Sequence, residues 1–297
     1  MTWYCVVELV ISARILITKE EEMRKRIIFV AVAVTVGLMV GLGQVFAAGE
    51  IKSLSPVLDR IMAKKELVVG TAASMPPLNM TTKDGQIIGM EADLARYFAF
   101  GMGVKLSLKP IRFNDLLTAL GKGQVDMVLS AMTITPQRNL TVAFVGPYFA
   151  SGKSILTKKA NVESVDEIEK MNNPQKVLVA LKGSTSQMFV EKLMPKAKLV
   201  LADDYDQAVA AVKNDKAIAM VADYPICFVT VNRYPDAGLA TLTKPISYEP
   251  IGVALPSSDP LLVNWVQNAL YFFEKTGELD ALTQRWFRDT SWMTRLP

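Results

Sequence analysis

The 297-residue chain is 51% hydrophobic, carries 33 basic against 29 acidic side chains for a net charge of +4, and contains no histidine. The missing histidine excludes Ser-His-Asp and Cys-His catalysis and any histidine-ligated metal. No basic block with interleaved aromatics follows Arg26, which argues against a nucleic-acid partner.

The first fifty residues hold much of the apolar excess. Met23-Arg24-Lys25-Arg26 is a positive start, Ile27 to Leu42 an uncharged apolar run, and Val45-Phe46-Ala47 an ending with small residues at the positions a processing enzyme reads. Residues 23–47 therefore read as a secretory signal cleaved after Ala47. An uncleaved anchor is the alternative, although the run is marginal for the ~20 residues a span needs. Residues 1–22 read as an upstream extension from a mis-assigned start. Loss of residues 1–47 removes 5 of the 33 basic and 4 of the 29 acidic residues, so the mature net charge is +3. Cys227 is the one cysteine beyond this leader, so it has no internal disulfide partner and reads as a small core residue.

Leu54–Lys65 has apolar residues at helical spacing. Leu67–Thr71 reads as a buried strand, Ala72–Leu78 as a loop, and Asp84-Gly85 as the turn of a hairpin. A helix over Glu91–Phe100, a strand over Val104–Lys109, a helix over Phe113–Leu120 and a strand over Val125–Leu129 follow. After Val145–Tyr148 and Ser151-Gly152 the pattern restarts at Lys153. It gives strands at Ile155–Thr157, Val177–Leu181, Leu199–Ala202 and Ile218–Val221, with helices over Ser164–Lys170, from Gly183–Ser186 to Leu193, over Tyr205–Lys213 and over Tyr224–Arg233. A strand, Ile251–Leu255, and two helices, Leu261–Lys275 and Leu279–Phe287, close the chain. Strands apolar throughout, alternating with helices, predict α/β lobes with mainly parallel sheets. Ligands in such sheets sit at the carboxyl ends of strands, where Ala72–Met75 and Ser130–Thr133 fall.

The stretch Ser130-Ala131-Met132-Thr133-Ile134-Thr135-Pro136-Gln137-Arg138 stands out. Thr135 has the chemistry of a helix N-cap and Pro136 that of a first helical residue. Arg138 then falls in the first turn, where the helix dipole disfavours a cation. An anionic partner would compensate, and a carboxylate suits the planar guanidinium fork. A solvated surface arginine is the alternative.

The order of motifs carries a resemblance. Leu67-Val68-Val69-Gly70-Thr71, Asp84 to Leu94, Gly123-Gln124-Val125-Asp126-Met127, Met132 to Arg138, Phe144-Val145-Gly146-Pro147-Tyr148, Gly183-Ser184-Thr185-Ser186 and Ala222-Asp223 follow one another. In this order the chain resembles the family 3 periplasmic solute-binding proteins that serve ABC importers, over about Leu54 to Phe287. The resemblance implies a type II, Venus-flytrap fold: two lobes joined by two crossing strands, the first lobe built from 48–152 and 249–297, the second from 153–248. It implies that Arg138 clamps a ligand carboxylate and that Asp223 receives an α-ammonium, although Asp223 also suits a helix N-cap. Thr185 and Ser186 would add donors to the carboxylate. Ser130 and Thr133 would supply a carbonyl and a hydroxyl, and Phe113 would pack on the ligand side chain.

An amino acid zwitterion needs a fixed cation, a fixed anion and neutral donors away from bulk water. Arg138 belongs to one lobe and Asp223 and Thr185 to the other, so only the closed state satisfies such a ligand. The helix opening after Gly183 also aims free N–H groups at an anion. Ala72 stands where many relatives carry an acid, and Met75 where they carry an aromatic, which points to a neutral, aliphatic or bulky apolar amino acid. The resulting expectation is a monomeric periplasmic binding protein that delivers an amino acid or related small carboxylate to an ABC permease, without cofactor or catalysis. Beyond Asp223, no spare carboxylate is assigned to the cleft. The alternatives are a dehydratase-like enzyme on the same fold and a ligand-presenting sensor. Glu91 and Asp93 read as helix-capping or solvated residues, and Trp286, Phe287 and Trp292 as packing residues.

Overall fold

The computed structural model describes residues 55–297 except 166 and 243, so the leader and the upstream extension lie outside the described residues. The chain runs α1 (Pro56–Lys64), β1 (Glu66–Thr71), β2 (Ser74–Met75), β3 (Asn79–Thr81), β4 (Ile87–Ile88), α2 (Met90–Met102), β5 (Lys105–Pro110), α3 (Leu116–Gly121), β6 (Met127–Val128), α4 (Pro136–Asn139) and β7 (Ala143–Ser151). It continues as β8 (Lys153–Lys158), α5 (Ile168–Met171), β9 (Val177–Leu181), α6 (Thr185–Leu193), β10 (Lys198–Ala202), α7 (Tyr205–Lys213), β11 (Ala219–Asp223), α8 (Tyr224–Arg233) and β12 (Leu239–Thr241). The last elements are β13 (Glu249–Leu255), α9 (Pro260–Lys275) and α10 (Glu278–Phe287).

Two five-stranded sheets organise these elements. The first has the order β5-β1-β6-β13-β7 and the second β10-β9-β11-β8-β12. Each has two parallel pairings followed by two antiparallel ones, so that only the fourth strand, β13 or β8, runs against the other four. The central strands read as continuous apolar runs because helices cover both faces, as in β9, Val-Leu-Val-Ala-Leu, which is buried over its last four residues. Because β13 returns from the second sheet to the first, the first lobe is discontinuous. Two linkers cross between the lobes: β7 continuing into β8, and the chain from β12 into β13. The crossing is tight. A Cβ added at Gly152, between β7 and β8, would lie 2.1 Å from the Ser247 carbonyl oxygen, so only glycine fits there.

Polar side chains tie the returning C-terminal segment to the first lobe. Asp259 caps α9 by accepting from the Leu262 amide (3.0 Å), and its second oxygen accepts from the Val57 and Leu58 amides of α1 (2.7 and 3.1 Å). The Trp286 indole donates to Asp93 (2.9 Å), and Phe287 stacks on Phe149 with ring centroids 4.6 Å apart. The tryptophans and Phe287 are packing residues, as expected from sequence.

Several readings need correction. Glu91 is neither a solvated residue nor a cap. Its carboxylate is buried and accepts from the Ala131 amide (2.6 Å), Asn79 and the Tyr148 hydroxyl. Burial raises its pKa above the ordinary 4.5, against the lowering effect of those three donors. The loop expected over Ala72–Leu78 contains strand β2, which pairs with β3. Of the strand expected over Val125–Leu129, only Met127–Val128 forms regular ladder. Val145–Tyr148, given no strand from sequence, is part of the nine-residue strand β7. Cys227 is a buried free thiol, pushed up to about 12 by desolvation.

Candidate ligand-binding cleft

Arg138 sits on a single helical turn, Pro136–Asn139, whose N-cap Thr135 accepts from the Arg138 amide (3.2 Å). The cap and the proline are where the sequence placed them. One turn has too few aligned peptides for a strong dipole, however, so the electrostatic argument from helix position weakens. What positions the side chain is the cleft itself. Its guanidinium donates to the Thr133 carbonyl (2.9 Å) in its own lobe and to the Gly183 carbonyl (3.0 Å) in the other. The Phe113 ring lies beneath it, 5.7 Å from centroid to guanidinium carbon. Desolvation pushes its pKa below the ordinary value, while Glu249 and Asp223 pull it back up. Among the described residues no carboxylate forms an ion pair with it.

Thr133 is held by the hinge: it bridges Ile251, and the neighbouring Ile134 amide donates to the Pro250 carbonyl (2.7 Å). Its hydroxyl is 3.3 Å from that of Thr185 across the cleft. Gly183 also faces the opposite lobe; at φ +74, a Cβ there would meet the Asn114 Cβ at 2.9 Å. Arg112 of the first lobe lies 3.6 Å from Asp203 of the second. The two walls of the cleft are thus in contact.

The second wall centres on a residue that the sequence reading missed. Lys153 opens β8 and pairs in register with Asp223 at the end of β11. Its side chain is 2% exposed, and its ammonium donates to Asp223 Oδ1 (2.6 Å) and Thr185 Oγ1 (2.7 Å), with Glu249 Oε2 at 3.4 Å. The Thr185 hydroxyl donates to Glu249 Oε2 (3.0 Å), and that of Ser247 donates to Glu249 Oε1 (3.1 Å). A hydroxyl has one proton, so in the Thr133–Thr185 pair Thr133 is the donor.

Asp223 does occupy the N-cap position of α8, but its carboxylate makes no cap hydrogen bond and is directed to Lys153 instead. Glu249 corrects the view that Asp223 is the one carboxylate near the cleft. It escaped notice because it begins a hinge strand, and only the return of β13 brings it to Thr185.

The remaining expected residues divide in two. Ser184 is the N-cap of α6, accepting from the Gln187 amide (3.1 Å), and Ser186 is buried in the first turn of that helix. Ser130 is buried below the cleft: its hydroxyl accepts from the Ala72 amide (2.8 Å) and lies 3.8 Å from the Met75 sulfur. Met75 is itself buried in the first-lobe core. The resemblance placed it on a ligand wall; as part of strand β2 it packs inward. Ala72 and Phe113 line an adjoining cavity of about 260 Å³ with Ser74, Arg112, Asp203 and Asp206. Asp204 lines it too and caps α7, accepting from the Gln207 amide (2.8 Å), while Asp203 lies 3.6 Å from Arg112 and Asp206 3.4 Å from Arg233. Among the described residues no cluster of three or more His, Cys, Asp or Glu could hold a metal, and no helix is long and apolar enough to cross a membrane.

Known proteins share this architecture. The profile of the bacterial extracellular solute-binding proteins, family 3, matches residues 67–289. The L-cystine-binding protein of Escherichia coli (strain K12) is 27% identical over 231 residues, covering 78% of this chain and 86% of its own. The crystal structure of an ancestral amino acid-binding protein, described as a precursor of cyclohexadienyl dehydratase, superposes with a TM-score of 0.73 at 35% identity, covering 78% of this chain and 99% of that one. A lysine complex of a putative ABC-transporter binding component from Wolinella succinogenes gives the same TM-score, 0.73, identity, 35%, and coverage, 78% and 99%. The chain therefore belongs to the bacterial extracellular solute-binding proteins of family 3.

Proposed function

We propose that this chain captures a small carboxylate solute of amino acid size between its lobes and delivers it to an ABC permease outside the cytoplasmic membrane. Arg138 carries the reading. It is a desolvated cation with no carboxylate in contact among the described residues, and it spans the cleft by holding one carbonyl from each lobe. A ligand carboxylate gives it charge-assisted, bidentate bonds in place of two neutral ones. Thr133 and the Gly183–Thr185 turn stand beside it. Lobe closure follows from differential contact, since the first lobe offers Arg138 and the second the Thr185 wall. The adjoining cavity carries three acids, Asp203, Asp204 and Asp206, so its wall does not by itself favour a neutral ligand over a cationic one.

A second reading, an enzyme on the same fold, is favoured by one observation. Lys153, Asp223 and Glu249 gather titratable groups at the cleft, where a reaction would need an acid or base. Native mass spectrometry of the purified protein, followed by a thermal-shift screen of small carboxylates and amino acids, tests the binding reading. A co-purifying or stabilising carboxylate that is recovered unchanged supports it. Conversion of that ligand to product selects the enzyme reading, and a failure of every carboxylate to bind overturns both.

A further inference from the structure

Beside the hinge the chain forms a second cavity, of about 510 Å³, and none of Arg138, Thr133, Thr185, Lys153, Asp223 or Glu249 lines it. Its walls come from both lobes and both crossing linkers: Gly152 of one linker, Ser247 of the other, α8 of the second lobe, and the C-terminal segment that returns to the first. No lining residue is charged, and seven of the seventeen are aromatic. On the first-lobe side Phe149 stacks on Phe287; on the second-lobe side Tyr224 stacks on Phe228, with ring centroids 6.0 Å apart. Trp286 and Trp292 spend their indole N–H groups on Asp93 and the Trp286 carbonyl, so they offer the cavity ring surface alone. The Ser247 hydroxyl is likewise spent, on Glu249. Ser151 differs: its shielded hydroxyl oxygen has no hydrogen-bond partner among the described residues. Phe228 and Tyr248 leave large ring surfaces in water, 43% and 69% exposed.

We propose that this cavity is a second ligand site, for an uncharged aromatic molecule of two or three rings. Its volume is that of a small-molecule site. A charged guest would give up its hydration to walls that hold no counter-ion, so the cavity excludes the carboxylates that Arg138 suits. Ring pairs on walls from different lobes offer faces and edges to a planar guest, and aromatic contacts in those geometries gain more than burial alone. An aliphatic chain of the same size would gain the burial without that term. Ser151 can take one hydrogen bond from a neutral donor on the guest, which removes the cost of a shielded hydroxyl left unpaired. The proposal stands apart from what the cleft binds, since the two sites have separate linings.

The test uses N-phenyl-1-naphthylamine, an uncharged three-ring probe with one N–H, whose fluorescence rises in apolar surroundings. The parent should bind it saturably, one molecule per chain, and more tightly than the anionic 1-anilinonaphthalene-8-sulfonate. Phe228→Ala removes an exposed ring from one wall and should weaken binding by about tenfold or more. Phe100→Ala, in a separate apolar groove between α2 and α9, should leave it unchanged. Tyr248→Ala, at a still more exposed wall position, repeats the test should Phe228→Ala not fold. Absence of saturable binding, equal binding by folded Phe228→Ala or Tyr248→Ala, loss of binding in Phe100→Ala, or a preference for the sulfonate each overturns the proposal. Light scattering reads the other occupant: a parent dimer that Phe228→Ala converts to monomer would make this surface an interface between copies, and would overturn the proposal as well.

Discussion

Each wall of the cleft presents one strong cation, and the two are held in opposite ways. On the first wall Arg138 faces neutral carbonyls and an aromatic ring, with its charge uncompensated by contact. On the second wall Lys153 is held by two carboxylates and a hydroxyl of its own lobe and hinge. An uncompensated cation is available for recognition. A compensated one shapes its surroundings, because it fixes Asp223, Thr185 and Glu249 in place. The contrast separates a residue open to a ligand from a residue that orders its neighbours.

Substitutions can break this contrast in graded steps. Loss of the Lys153 ammonium strands Asp223 and Glu249 without their counter-ion, and removing one partner of a buried pair costs about 3–5 kcal/mol. Lys153→Ala should therefore show the largest fall in unfolding free energy of the cleft variants, measured by denaturant titration. Arg138→Ala should do the reverse. Stability should change little, while affinity for a carboxylate ligand should fall at least a hundredfold, about 2.7 kcal/mol.

Glu91 sharpens the comparison from behind the first wall. It holds the Ala131 amide and so the turn that leads to Thr133. Glu91→Ala should lower stability by about 2–3 kcal/mol through its stranded donors. Burial raises its carboxyl pKa above 4.5, so the folded state keeps a proton that the unfolded state gives up. Its contribution to stability is fully present below that ordinary value and is lost as pH rises through the raised one. Glu91→Gln should flatten this decline, as read from melting temperatures across a pH series. Smaller still, Thr135→Ala should cost about 1 kcal/mol by removing the cap beneath Arg138, and Arg112→Ala, an exposed partner of Asp203, less than about 1 kcal/mol.

The first wall was legible in the sequence and the second only in part. Arg138, Thr133 and Thr135 lie on one short stretch whose cap, proline and strand end are local signals. Thr185 and Asp223 likewise follow apolar strands. Lys153 gives no such signal. A lysine just after a glycine at the head of a strand reads as a solvated end, and its burial is decided by cross-strand registration with a residue seventy positions away. Glu249 was hidden for the same reason, since its role depends on the chain crossing back between lobes. Met75 differs in kind: the segment Ala72–Leu78 reads as a loop, while the pairing of Ser74 and Met75 with β3 turns the side chain inward. A search for a basic partner to Asp223 was the one route by which sequence could have reached Lys153.

Calorimetric titration of a carboxylate found in the parent cleft into Arg138→Ala tests the central claim most directly. The account predicts a folded variant, with a melting temperature near that of the parent, that gives no measurable heat of binding. A folded variant that binds the same carboxylate as tightly as the parent would contradict it.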